Sequence, residues 1–465
     1  MMKRKANTEC RCFAIVIVLI VIISSCKVTQ PYKQPADATN NKLYRDTLNT
    51  DTTNIGTISW KQMFGDTLLQ LLIQEGISNN LDLKVAIARI KTAAANFKQS
   101  RLAFLPAVDA NPSATFQRVP STQFGFPEAY LLQLTSSWEA DIWGKLSSAK
   151  RAALASLLQS EAYKRAVQTQ LVSDIATDYY LLLAYDAQLQ ITERTVENRI
   201  KEVETMKLLK ESNVVTGAAV VQSAANRYSV EITIPDLKQS IRETENELSI
   251  LLGRNPDTIL RSTIEEQRTN TNLATGVPAQ LLANRPDVQQ AEFQLRNSFE
   301  LVNVARTYFY PSLTITGSAG FSSTSLAQLF DPVSFFANVT GGLLQPVFEQ
   351  GLNKQRLAVA QANQEEYLNT FRKTILIAGQ EVSNALYSYG AAVGKQSLRS
   401  EQIAYLQKSV DYTKQLLEYS STTNYTDVLT SEQSLLAAQL SSVNDKLQQL
   451  TAVVGLYRSL GGGWR

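Results

Sequence analysis

Residues 106–118 read PAVDANPSATFQR and residues 311–323 read PSLTITGSAGFSS. Both begin on a proline and then alternate with a period of two. Val108, Ala110, Pro112, Ala114 and Phe116 fall on one side, and Asp109, Asn111, Ser113, Thr115 and Gln117 on the other. In the second stretch Leu313, Ile315, Gly317, Ala319 and Phe321 alternate with Ser312, Thr314, Thr316 and Ser318. Such alternation describes a strand with one apolar face. Each stretch is followed by a turn-rich segment (Pro120 to Pro127; Asp331-Pro332) and a second alternating run, through Leu132, Leu134 and Trp138 or through Phe335, Val339 and Leu343. Two hairpins are therefore expected, with strands at about 106–118, 129–143, 311–323 and 333–348.

The resemblance between the two stretches extends well beyond them. Residues 81–155 align with 286–360 at a constant offset of 205: Asp82/Asp287, Arg101/Arg306, Pro106/Pro311, Arg151/Arg356 and Ala155/Ala360 all keep it. A period this long is the duplication of a whole structural unit, unlike the short repeats of solenoids. Ahead of the first hairpin, Leu68 to Leu105 carries apolar residues at three- and four-residue spacing, a helix that Pro106 stops. After each hairpin comes a long proline-free run, Lys145 to about Lys210 and Leu352 to Glu418. At about 1.5 Å per residue each is a helix of roughly 100 Å. Ile175, Leu182, Leu189, Val196 and Val203 recur every seven residues, the spacing of a coiled-coil seam. Turn-prone tips follow, at 211–217 and 419–424, and returning helices run to about Leu252 and Leu460 before glycine-bearing stops.

Sheets with one apolar face and one small polar face suit a membrane barrel, with lipid outside and water inside. Four strands cannot close a barrel, and open edges have no hydrogen-bond partners in a bilayer. Several copies must share one wall; three copies would supply twelve strands. The expected fold is mainly α with a transmembrane β part: a long helical barrel and four strands per protomer, completing a 12-strand barrel as a trimer. Domains are expected at 1–25 (signal), 26–57 (tether), 58–270 (first repeat) and 271–465 (second repeat).

The remaining composition narrows function. There are 45 Lys+Arg against 42 Asp+Glu, a balance that offers nothing to nucleic acid. The absence of histidine excludes histidine-based metal sites, triads and general bases, and no enzyme is expected. Lys3, Arg4, Lys5 and Arg11 precede an apolar run from Phe13 to Ile23, too short for a membrane span. The run ends in Ile23-Ser24-Ser25-Cys26, which resembles a lipobox: Cys26 would be acylated after cleavage, and no other cofactor is expected. An ordinary secretory signal is the alternative. The Thr-, Asn- and Pro-rich stretch 27–57 reads as an extended tether.

Asn80-Leu81-Asp82-Leu83, Leu105-Pro106, Trp138 to Lys145, Leu251 to Pro256, Arg285-Pro286-Asp287 and Leu460 to Trp464 together resemble the TolC-like outer-membrane efflux ducts, in their lipid-anchored OprM-like (NodT-like) branch. That resemblance implies a homotrimer in the outer membrane of a Gram-negative bacterium, with its helical barrel in the periplasm. It implies a passive duct for drugs or other small solutes, working with a periplasmic adaptor (membrane fusion protein) and an inner-membrane pump of the RND type. A stand-alone diffusion pore and a structural coiled-coil lipoprotein are the alternatives. The expected gate lies at the second tip, in Thr423, Asn424, Tyr425 and Asp427. Asp427 would form an acidic ring, or would serve as a helix start; the others would line the gate, or simply make the turn. Adaptor contact is expected at Val215, Thr216, Gly217 and Thr422. Glu139 and Asp141 face the lumen in this register, either tuning permeation or merely solvated.

Overall fold

The computed structural model describes residues 28–35, 43, 54–116, 128–268, 275–276, 280–419 and 425–465. Cys26, the turn at 120–127 and most of the tether lie outside the described residues. The chain falls into two compact units, one gathering residues 1–35, 89–160 and 290–371, the other 36–88, 161–289 and 372–465. Each takes a piece of both duplicated halves, so the compact units do not follow the sequence repeats.

The first unit holds one antiparallel sheet in the order β1-β2-β3-β4, made of Ala107–Phe116, Glu128–Ala140, Ser312–Ser323 and Phe335–Leu344. Its register places the apolar sets of all four strands on one face. Across the sheet run the rows Ala110-Leu134-Ala319-Ala337 and Pro112-Leu132-Phe321-Phe335. The opposite face carries Asp109-Thr135-Ser318-Asn338, knitted by Asn111 Nδ2 donating to Thr135 Oγ1 (2.9 Å) and Ser318 Oγ to Asn338 Oδ1 (2.9 Å). Aromatic side chains gather at both strand ends. Phe321 meets Phe330 and Phe335 at 5.6 and 5.7 Å at one end; at the other, Trp138 Nε1 donates to Phe104 O and Trp143 Nε1 to Pro311 O. Two aromatic girdles flanking an apolar band are what a sheet facing lipid requires. Every residue of β1 is solvent-exposed, and β1 and β4 are the two edges of the sheet.

The helices are α1 (Thr67–Asn79), α2 (Leu81–Leu102), α3 (Lys145–Glu211), α4 (Gly217–Glu231), α5 (Thr233–Leu251), α6 (Pro286–Thr307), α7 (Leu352–Tyr419) and α8 (Tyr425–Ser459). The ends of α2 and α6 differ by the repeat offset of 205. Two expectations need correction. The helix expected over Leu68 to Leu105 breaks at Asn80, whose side-chain oxygen caps α2 by accepting from Leu83 N (2.9 Å) while its amide donates to Leu251 O (2.9 Å). The first returning helix breaks at Ile232, three residues before Pro235, which lacks the N–H that a continuous helix needs there. The tether also begins fixed: Gln30 exchanges two hydrogen bonds with the Asn303 side chain of α6, and Tyr32 packs edge-on against Phe299.

The core of the second unit joins α1, α3, α5 and α8. Leu69, Ile73, Ile175, Leu182, Leu248 and Leu252 are fully buried, each contributing about 1.5–3 kcal/mol. The heptad series on α3 is buried as its spacing requires, except that Leu189 is only half-buried. The duplication reappears here at atomic detail. Gly253, with φ +70°, lies against the Asn79 carbonyl, and Gly461, with φ +86°, lies against the Asn284 carbonyl. Next to them, Asn80 reaches Leu251 O, and Arg285 reaches Ser459 O at 2.9 Å. Arg285 also holds Asp287 bidentately (3.0 and 2.6 Å) and Glu381 (2.7 Å), which accounts for the Arg-Pro-Asp motif. Pro286 begins α6, where a missing N–H costs nothing.

Asp178 on α3 is half-buried, and burial, then Glu247 and Asp174, push its carboxyl up to about 7. The folded state therefore keeps a proton that the unfolded chain releases above about pH 4, and stability falls as pH rises between about 4 and 7. Asp178→Asn should raise the thermal midpoint at pH 8, by an amount worth about 2 kcal/mol after discounting for residual solvent, and leave it unchanged at pH 4. An equal gain at both pH values would contradict this.

Candidate functional site

α3 ends at Glu211 and the chain reverses through Ser212 to Thr216. Asn213 adopts φ 57°, a left-handed conformation that asparagine tolerates well. Thr216 caps α4 by accepting from Ala219 N (3.3 Å), and Gly217 is the first helical residue. Val215 joins a small cluster with Met206, Leu209, Val220, Leu417, Tyr425 and Leu429. The structure thus brings Val215 of the first tip together with Tyr425 of the second. Thr422, Thr423 and Asn424 lie outside the described residues. Asp427 is exposed in the first turn of α8, where a carboxylate complements the helix dipole.

Beside this cluster lies a charged group that the sequence reading missed. Arg199 of α3 is 2 % exposed and pairs with Glu202 (3.1 Å) and with Glu432 of α8; Lys414 of α7 reaches Glu432 at 2.6 Å. Tyr425 Oη faces Glu202 and Asn226, and its burial raises the phenol to about 12. Burial and the neighbouring Glu432 also raise the Glu202 carboxyl, against the pull of Arg199. Arg199 Nε, Glu202 Oε1, Asn226 Nδ2, Tyr425 Oη and Glu432 Oε2 are buried without a well-directed hydrogen bond. A buried ionic network left partly unsatisfied adds little net stability. Its effect is to tie three helices together beside both tips. A signal existed: Arg199 stands three residues after Val196, on the inner face of the heptad seam, where a charge is out of place.

In the first unit, Glu139 lies on the polar face of the sheet opposite Thr314, as its register implied, and is neutralised by Lys145 at 3.0 Å. The Asp141 carboxylate accepts from Leu146 N (2.8 Å) and Ser147 N (2.9 Å), so it caps α3. Neither carboxylate is left as a bare solvated charge.

A sheet with one apolar face and open edges, joined to long helices, suits a channel-forming protein of the membrane. Comparison with known proteins agrees. The family model for outer membrane efflux proteins matches residues 72–254 and 277–462, one match for each repeat. The pyoverdine export outer membrane protein OpmQ of Pseudomonas putida is 30% identical over 417 residues, 87% of this chain and 88% of that one. The toluene efflux pump outer membrane protein TtgC of P. putida is 29% identical over 415 residues, covering 87% and 85%. The solved outer-membrane channel OprN superimposes with a TM-score of 0.86 at 25% identity, over 94% of this chain and 100% of that one. The open-state MtrE channel of Neisseria gonorrhoeae shares the fold, with a TM-score of 0.84 at 22% identity. The chain belongs to the outer membrane efflux protein family. It is an efflux-pump channel of the Gram-negative outer membrane.

Proposed function

We propose that three copies of this chain form one duct, which takes small molecules from an inner-membrane pump of the RND type through a periplasmic adaptor and releases them outside the cell. The observation that carries this reading is the four-stranded sheet with one apolar face and two open edges: in lipid those edges need other strands, and three copies supply twelve. The exported class is that of the relatives' named cargoes, small molecules such as toluene and pyoverdine. Asp427, Thr423, Asn424 and Tyr425 would form the gate, and Val215, Thr216, Gly217 and Thr422 the contact with the adaptor. The Arg199–Glu432 pair would hold each protomer's two tips together while the gate is shut.

Cys26 would carry the lipid. It stands two positions before Val28, and two steps of extended chain at about 3.5 Å each reach only about 7 Å. Since the chain is fixed to α6 from Gln30 onward, the acyl chains would insert close to that anchoring point. Palmitate labelling that persists in Cys26→Ser would refute this assignment.

The function is tested by accumulation of a fluorescent efflux substrate. Cells lacking this chain should retain the dye. Restoring the chain should relieve retention only when the cognate pump is present. Relief without any pump would mark a free diffusion pore.

A further inference from the structure

The duplicated halves differ on one stripe of the first unit. At the end of α2, Asn96, Gln99, Ser100 and Ala103 follow one another at helical spacing, a polar and partly exposed stripe. At the constant offset of 205 the matching residues of α6 and its last turn are Leu301, Val304, Ala305 and Tyr308. Leu301 stays 47 % exposed, and so does Val359 of α7. With Ala360, Asn363 and Tyr367 of α7 these side chains line an open groove of about 470 Å³. Among the described residues that line it, Arg356 of α7 is the only charged one. Its duplicate, Arg151, is answered by the buried carboxylate of Glu300 at 2.8 Å. The duplicate of Glu300 is Ala95, which offers no carboxylate. Arg356 instead donates to Asn353 Oδ1 (3.1 Å) and lies 4.7 Å from the centre of the Tyr308 ring, with no carboxylate paired to it among the described residues.

Neighbouring contacts tell which way the groove opens. The second cation on the Tyr308 ring is Lys145, at 5.3 Å, and Lys145 pairs with Glu139 on the polar face of the sheet. Phe299 and Asn303, which hold Tyr32 and Gln30, lie on the other side of α6. The groove therefore opens on the side of the polar face, the water side of the proposed wall. We infer that it is a resting site for small amphipathic organic anions in transit through the duct. This rests on the assembly proposed above and names a cargo class for it. The apolar body, an aromatic ring or a branched alkyl group, lies against Leu301, Val304, Val359 and Tyr367, which otherwise face water. The carboxylate or sulfonate accepts hydrogen bonds from Arg356, whose planar fork suits such a group. A cation finds no carboxylate in the groove: Glu139 and Glu349 line an adjoining cavity, and Glu139 is held by Lys145. Because a duct must release what it holds, the site binds weakly.

Equilibrium dialysis of the full chain in lipid nanodiscs against naphthalenesulfonate tests this. One saturable site per chain is expected beyond the uptake of empty nanodiscs. Arg356→Gln should weaken it about tenfold or more, the worth of one charge-assisted hydrogen bond, and Arg356→Lys should weaken it less. Leu301→Asn with Val304→Gln copies the α2 stripe onto α6 and should weaken binding as far, while light scattering still reports three copies. Naphthylmethylammonium, similar in bulk and opposite in charge, should bind about tenfold more weakly than the sulfonate. Binding that neither variant changes, or that favours the ammonium, would overturn the site. Three copies without saturable binding would overturn the site and leave the assembly standing. A single-chain mass that still binds through Arg356 would overturn the assembly, and the transit role with it.

Discussion

Arg199→Ala should destabilise the tip end of the second unit by about 3–5 kcal/mol, the usual cost of removing one member of a buried ion pair. The guanidinium is almost wholly buried, and it is the cation lying between Glu202 and Glu432; Lys414, half exposed, reaches only Glu432. Without it two carboxylates face each other beside the Tyr425 phenol. The defect should depend on pH in a definite direction. Burial already raises Glu202, and loss of Arg199 raises it further, so the variant should be worst at pH 8 and improve towards pH 5 as the carboxyl takes up a proton. Hydrogen exchange reads the effect directly: amides of residues 425–432 should lose protection in the variant at pH 8, and Glu202→Gln in the same chain should restore part of it. Unchanged protection there would mean that the pair does not hold the helices together.

Gly461→Ala should be equally damaging for a different reason. At φ +86° an L-residue costs about 1–2 kcal/mol. The added Cβ would also lie on the Asn284 carbonyl, so the stop of α8 and the start of α6 must separate. The same separation strains the bond from Arg285 to Ser459 O and the ties to Asp287 and Glu381. A large drop in thermal midpoint, or no folded protein, is the expected outcome. Gly253→Ala should follow in kind, since its Cβ would stand 2.6 Å from Asn79 O. Gly455 is the control: it lies within α8 with nothing near its missing Cβ, and alanine there should stabilise by about 0.5–1 kcal/mol. Equal tolerance at 455 and 461 would remove the close approach from the account.

The sheet was readable from the chain because its cause is local. A period of two repeated in four runs, with the same offset between copies, specifies the strands, their faces and the two hairpins; the pairing of β2 with β3 comes from the structure. The long helices were readable because nothing in them interrupts a 3.6-residue period. The break at Asn80 was not, since the apolar period continues across it; the break at Ile232 was marked by Pro235, whose missing N–H the reading passed over. Asn80 ends a helix by what its amide touches, Leu251 O, which is 171 residues away in the chain. The paired glycines show the same limit. Their presence marked a stop, but the carbonyls that exclude a Cβ belong to Asn79 and Asn284, far off in sequence. Asp141 was read as a lumen charge because its position alternates with the strand; the strand ends at Ala140, and the carboxylate turns to the first turn of α3 instead. Arg199 was visible as a charge in an apolar seam. What answers it comes from α8, and periodicity alone does not name a partner.

In the proposed assembly one copy provides a third of a membrane wall and other copies provide the rest. Light scattering of the detergent-solubilised protein, corrected for bound detergent, measures this most directly. The account predicts a single species of three times the chain mass that retains its sheet signal by circular dichroism. A stable species of one chain mass with the sheet intact would contradict it.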